Sequence, residues 1–344
     1  MGFEHLFEGC EMRRVVRFKP SRKRAEEIEV AVVGLGKIGV ETASLIWRRD
    51  GLRLVGLVDT SPALLGRDLA ELAGLERPTG VRVVSSIDLL DRTPEVAVLT
   101  TTSSFESIHP TLRRLVSMGI NVVSSSEEMI YPWLSSPELA EDIDRLCKEM
   151  GVVAYGTGVN PGFVMDRLPA FLAGACQEIR SVEVIRVVDA STRRRALQAK
   201  IGSGLTVEEF EALAASGRIG HVGLVESAAY LADRLGLDVV EIEEELKPVV
   251  SDRRVRTEFF DVPPGKVIGI RQTAVGRDGS GEEVVKLRLE MFLDAESPRD
   301  EIRIRGVPDL DVEIKGGTPG DQATAAILVN AIPLVMSMEP GLRA

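Results

Sequence analysis

Histidine is scarce in this chain, with three residues in 344 and none in an H-x-x-H or H-E-x-x-H arrangement. That absence argues against the usual helical zinc sites, and no metal centre is expected. Cysteine is equally scarce: Cys10, Cys147 and Cys176 are odd in number and lack metal-ligand spacing. They predict reduced thiols and a cytoplasmic location instead of a disulfide framework. Basic charge is short overall, since 42 Lys and Arg stand against 53 Asp and Glu for a formal charge of -11. A nucleic-acid partner needs a net basic face and is not expected. One stretch departs from this balance, "RRVVRFKPSRKR" at 13–24, with seven basic residues in twelve, and it reads as a solvated lead-in or an interaction arm. Long apolar runs are missing too. "ATAAILVNAIPLVMSM" is interrupted by Asn330 and Pro333 and falls short of the roughly 20 residues that a membrane span requires. The N-terminus shows no secretory apolar block.

What is present is ordinary globular material, 44% hydrophobic and 28% charged, in a chain long enough for two domains. From Ile28 onward short apolar strands alternate with helical spacings: "IEVAVV", "LRLVGLVD", "VRVV", "EVAVLT", "INVVS" and "VVAYG" are the strands. Helices are predicted after the first strand, over Leu64 to Leu72, over "PTLRRLVSMG" and over Ser136 to Met150. Alternation with strands apolar on both faces predicts a Rossmann-type, doubly wound parallel sheet. Past residue 160 the pattern changes. "RSVEVIRVVDA" predicts a longer strand, two helical segments follow, and the runs from 247 to 315 alternate polar with apolar residues. This predicts a second α+β domain with a largely antiparallel sheet, wet on one face. The expected organisation is a basic extension over 1–27, a dinucleotide-binding domain over 28–156, a substrate and dimerisation domain over 157–318, and a C-terminal helix over 319–344 packing back on the first domain.

Gly34-Leu35-Gly36-Lys37-Ile38-Gly39 matches G-x-G-x-x-G, follows a predicted strand and opens a predicted helix. Gly34 is expected to make the tight turn, Gly36 to let the backbone approach a pyrophosphate, and Gly39 to let helix and strand pack closely. The free N–H groups at the helix start suit phosphate. Asp59, at the end of the next strand, is placed to accept hydrogen bonds from a ribose, or else simply caps the strand end. A carboxylate there repels a 2'-phosphate, and neither Thr60 nor Ser61 offers a cation, so the expected cofactor is NAD, with NADP as the alternative.

Ligands of open α/β sheets lie outside the carboxyl ends of the strands. Three small, hydroxylated or glycine-rich loops fall there: "TTTSSFES" at 100–107, "SSSEEM" at 124–129 and "GTGVNPGF" at 156–163. Thr101, Thr102, Ser103 and Asn160 are therefore candidate cofactor contacts. Within "VVSSSEEMIYPW" the adjacent Glu127 and Glu128 sit among residues that favour burial, where an unpaired charge is costly. A pair of coupled carboxylates suits proton traffic at a reacting amine, and its charge suits an ammonium or a cationic iminium. The plainer reading is that one of them serves the start of a helix. Tyr131 and Trp133 read either as walls of a substrate pocket or as core. Arg193, Arg194, Arg195 and Lys200 are candidates to bind a substrate carboxylate, or belong to a solvated face. His109 reads as a helix-start residue.

Together, "VAVVGLGKIG", "TTTSS", "NVVSSSEEMIYPW", "GTGVNPGF", "DASTRRRALQAKIGSGLTVEEF" and "GGTPGDQATAAILVNAIP" resemble the 2,4-diaminopentanoate dehydrogenase family and its related NAD(P)-dependent amine dehydrogenases, across residues 28–342. The resemblance implies a dihydrodipicolinate reductase-like architecture and oxidative deamination of an amine to a ketone and ammonia, or the reverse. It also implies a catalytic glutamate at Glu127 or Glu128, with Glu127 preferred, and a homodimer. The alternatives are another reductase of the same architecture, which would carry paired histidines absent here, or a dinucleotide-binding sensor without catalysis.

Overall fold

The computed structural model describes residues 27–344, so the basic stretch at 13–24 and Cys10 lie outside it. The first half builds β1 (Ile28–Val33), α1 (Lys37–Arg48), β2 (Leu52–Val58), α2 (Leu69–Ala73), β3 (Val83–Val84), β4 (Val96–Leu99), α3 (Phe105–Ser117), β5 (Asn121–Ser124), α4 (Pro137–Met150) and β6 (Val153–Gly156). The second half builds α5 (Arg167–Ala173), β7 (Glu178–Asp189), α6 (Arg195–Lys200), α7 (Val207–Ala215), α8 (Leu224–Leu235), β8 (Val239–Val250), β9 (Val255–Arg256), β10 (Asp261–Val262), β11 (Val267–Asp278), β12 (Glu283–Phe292), β13 (Arg299–Val307), β14 (Leu310–Lys315), α9 (Gly320–Val335) and β15 (Gly341–Arg343).

The first sheet runs β15-β6-β5-β4-β1-β2-β3, every pair parallel. Its central strands are buried on both faces, which is why β4 reads as the unbroken apolar run "VAVL". One face packs under α3 and α4 through Phe105, Leu112, Ile143 and Cys147. The other packs under α1 and α9 through Ala43, Ile46, Leu328 and Ile332. The last helix and strand thus return to the first sheet. Strand order reverses direction of growth between β1 and β4, and the loops after β1, β4, β5 and β6 leave the sheet along that carboxyl edge.

The second sheet runs β14-β13-β7-β12-β11-β8, antiparallel except for the parallel pair of β7 and β12. It differs from a plain meander because β7 is inserted between β12 and β13. β8 was not expected as a full strand. As an edge strand it buries little, and its glutamates at 241, 243, 244 and 245 hide the alternation that Ile242 and Leu246 carry inward. The helix expected over Leu64 to Leu72 shrinks to α2 because Gly66 adopts a left-handed φ of 77° and ends the turn before it. No helix among the described residues is long and apolar enough to cross a membrane, and none of their side chains gather into a metal-binding group of three.

Candidate active site

The glycine loop behaves as its spacing predicts. Gly34 has a φ of 92°, and a Cβ there would lie 2.8 Å from the Thr100 carbonyl oxygen. A Cβ on Gly39 would come within 1.9 Å of the Gly34 carbonyl oxygen, so only glycine lets α1 sit this close to β1. At Gly36 the added Cβ would meet nothing within 4 Å, which leaves open the side a pyrophosphate needs. Gly36 is also the N-cap of α1 and brings no side chain to the first-turn N–H groups, so those of Lys37 and Ile38 are left for an anion. The residues present therefore fit a dinucleotide. Asp59 holds this loop: one carboxylate oxygen accepts from the Leu35 N–H at 2.7 Å and the other from the Ser61 N–H at 2.8 Å. Leu35 consequently contributes a buried side chain and an occupied N–H to the loop's shape. Each Asp59 oxygen keeps a lone pair for a ribose hydroxyl.

A cavity of about 440 Å³ opens from this loop. Gly36, Lys37 and Ile38 of the glycine loop line it, together with Thr101, Thr102, Ser103, Ser125 and Asn160 of the sheet-edge loops and Arg194, Lys200 and His221 of the second half. The three loops predicted to share one edge do so. Thr100 also bonds the Gly34 carbonyl through its hydroxyl at 2.6 Å, fixing the second loop against the first.

The two glutamates separate cleanly. Ser124 ends β5, and residues 127–130 form a single tight turn whose Met129 and Ile130 are buried. That turn points Glu127 into the cavity and Glu128 away from it. A carboxylate oxygen of Glu128 accepts from the Phe105 N–H at 2.7 Å, so it serves the N-terminus of α3, where a negative charge is favourable. Burial raises the Glu127 pKa above the ordinary carboxylate value, while the Ser103 hydroxyl and the Lys200 charge oppose that shift. Gly223, the N-cap of α8, is wedged against this residue: a Cβ there would lie 2.4 Å from Pro161 Cγ and 3.1 Å from Glu127 Cβ.

Tyr131 and Trp133 do not line the cavity, and their expected place in the substrate pocket is corrected. They meet edge-on at 5.8 Å between ring centroids, and Trp133 packs against the core beneath α3 and α4. The reason is the same turn, which carries the chain past the cavity mouth before residue 131. His109 lies inside α3 and pairs with Asp142 at 3.2 Å, away from the site.

Among the cations, Arg193 is committed to Asp321, which also holds Lys37 at 2.6 Å. Arg194 and Lys200 line the cavity without a direct ion pair among the described residues, the Arg194 charge acting on Asp321 and the Lys200 charge on Glu127. Sequence reasoning missed Arg186 and His221. Arg186 lies on the inward face of β7, where it pairs at 2.9 Å with Asp300 of β13, and a charged residue in step with the apolar Val184 and Val188 was the available signal. His221 follows Gly220 and precedes Val222, its backbone N–H and C=O both held at 2.8 Å by the Gln272 amide. Burial, with the Lys200 and Arg186 charges, pushes its pKa down to about 4, so the ring is neutral at pH 7.

Residues 163–344 match the family model of the 2,4-diaminopentanoate dehydrogenase C-terminal domain, and residues 28–155 match that of the dihydrodipicolinate reductase N-terminus. The chain is 32% identical over 328 residues to the 2,4-diaminopentanoate dehydrogenase of Acetoanaerobium sticklandii, covering 92% of each protein. It is 25% identical to the amine dehydrogenase of Streptomyces virginiae, covering 92% of this chain and 94% of that one. The solved amine dehydrogenase of Mycobacterium smegmatis superposes with a TM-score of 0.78 at 27% identity, over 93% of this chain and 95% of that one. The chain therefore belongs to the 2,4-diaminopentanoate dehydrogenase family, a family of oxidoreductases.

Proposed function

We propose that the protein is an NAD(P)-dependent amine dehydrogenase that oxidatively deaminates a small amine carrying a carboxylate, 2,4-diaminopentanoate or a close relative, to a ketone and ammonia, and runs the reverse. One observation carries this reading: Glu127 lines the same cavity as the glycine loop, Arg194 and Lys200. A carboxylate group of the substrate suits Arg194 and Lys200, and this places the amine toward Glu127.

The glycine loop and the α1 N-terminus would hold the pyrophosphate, Asp59 the adenosine ribose, and the loops at 100–103 and 158–160 the other end. When bound there, the dinucleotide supplies the hydride acceptor. Glu127 takes the proton that the substrate ammonium must lose before its carbon can yield hydride. Once that proton has passed on to solvent through the open cavity, the ionised carboxylate favours the cationic iminium of the substrate over the neutral amine. As water adds to that carbon, Glu127 accepts the water's proton and returns one to nitrogen, so ammonia leaves and the carbonyl forms. Asp59 supports NAD over NADP, because its carboxylate opposes a 2'-phosphate and its neighbours Thr60 and Ser61 are uncharged.

NADH formation from 2,4-diaminopentanoate, beside a panel of alkyl amines, tests the assignment. Glu127→Gln is expected to lower kcat by about 10²–10⁴-fold with NADH binding intact. Glu128→Gln is expected to weaken the start of α3 and leave the chemistry standing. Tight NADH binding with no amine oxidised by the unaltered protein would point instead to a sensor.

A further inference from the structure

Ser124, Ser125 and Ser126 precede Glu127, and they divide by side. Ser125 lines the cavity, whereas Ser124 and Ser126 are buried and do not. Ser126 is the N-cap of the turn at 127–130, a position where a serine hydroxyl ordinarily accepts from an N–H of its own helix. Here it caps nothing. Its hydroxyl donates instead across to the loop after β4, to the Ser103 carbonyl at 2.7 Å, while its own N–H donates to the Ser124 hydroxyl oxygen at 3.1 Å. The Glu128 N–H donates to the same Ser103 carbonyl at 3.2 Å, so the residues on either side of Glu127 are tied to one atom. Building on the proposed amine chemistry, we propose that Ser126 is a positioning residue, whose hydroxyl, bonded to the Ser103 carbonyl, fixes the Glu127 carboxylate against the loop at 100–103 that would receive the cofactor.

The surroundings of the turn explain why a directional bond is needed there. Gly156 of β6 packs against it, where a Cβ would lie 2.4 Å from the Met129 carbonyl oxygen, and Gly223 packs against Glu127 itself. Such contacts limit how near the turn can come, and they set no register. The Ser103 carbonyl does, because its two lone pairs are taken by Ser126 and Glu128, and the turn cannot slide along the loop without breaking one bond. The same residue faces the chemistry. Ser103 lines the cavity with Glu127, and its hydroxyl favours the ionised carboxylate. Proton transfer needs the carboxylate within hydrogen-bond reach of the amine, so a slip of about 1 Å in the turn is enough to slow it.

NAD-dependent amine oxidation by Ser126→Ala, alone and combined with Glu127→Gln, tests the assignment. Alone, Ser126→Ala is expected to lower kcat by about 10–100-fold with the KM for NAD unchanged. Combined with Glu127→Gln, it is expected to change kcat by less than about twofold, since an effect carried by Glu127 then has nothing to act on. Ser124→Ala, which takes the acceptor from the Ser126 N–H, is held to the same two readings and replaces Ser126→Ala if that variant does not fold. A kcat within about twofold of the unaltered protein, or an equal loss with and without Glu127→Gln, overturns the positioning role alone. An unaltered protein that binds NADH and oxidises no amine overturns the underlying functional reading instead.

Discussion

At the scale of the residue, Glu127 and Glu128 show how far adjacent identical side chains can diverge. Sequence marks both as unusual, because carboxylates rarely sit beside Met, Ile, Tyr and Trp without a purpose, yet nothing local distinguishes them. The distinction comes from residues elsewhere in the chain: the Phe105 N–H claims Glu128, and Gly223 and Lys200 frame Glu127. Because burial holds the Glu127 pKa above its ordinary 4.5, the working ionised form is lost earlier on acidification than for a free carboxylate. The pH profile of kcat for amine oxidation is expected to show an acid limb above that value. Measured on kcat, the limb belongs to the substrate complex and excludes titration of the free amine. A limb at the ordinary carboxylate value would mean that Glu127 is wetter than this structure has it. The same reasoning explains why Tyr131 and Trp133 mislead: their chemistry suits a pocket wall, and only the turn at 127–130 decides which side they face.

Elements with a local mechanical cause are the most legible. Gly34 and Gly39 of the glycine loop each have a steric reason within the fold, and the structure shows both where the spacing in the sequence predicts them. β8 is the opposite case, an edge strand in which Glu244, on the same face as Ile242 and Leu246 and bonded to Gln272 at 2.8 Å, breaks the apolar alternation. The pairing of β7 with β13 was also hidden, because it turns on a buried ion pair between residues far apart in the chain. Arg186 and Asp300 face each other in register with side chains 4% and 0% exposed, and the Thr318 carbonyl and N–H bond the two partners at 2.8 and 2.7 Å. Removing one partner leaves a buried charge uncompensated. Asp300→Ala is therefore expected to cost about 3–5 kcal/mol in urea unfolding. The loss should be nearly the same at low and high salt, since a pair withdrawn from solvent is little screened. A loss under about 1 kcal/mol would show that water reaches Arg186 when its partner is gone.

For the whole molecule, the two halves meet through Asp321. Its carboxylate stands in the first turn of α9 and binds Lys37 of the glycine loop at 2.6 Å and Arg193 of the segment after β7 at 2.5 Å. Three stretches remote in sequence are thereby held around the mouth of the cavity, which no reading of one stretch at a time could foresee. Burial alone would raise the Asp321 pKa, but Lys37 and Arg193 outweigh it and the net shift is downward. The sign of the linkage follows: a carboxylate whose folded-state pKa is depressed contributes stability above its unfolded-state pKa and loses it as pH falls through the folded one. Asp321→Asn is expected to lower unfolding stability at neutral pH by about 1 kcal/mol, a modest figure because Lys37 is half exposed and screened. At acid pH the two proteins should converge, since the unaltered carboxylate is then protonated as well. Denaturant unfolding at several pH values measures both. Parallel curves, offset equally at every pH, would assign the effect to packing at the start of α9 and remove the ion pairs as the link between the halves.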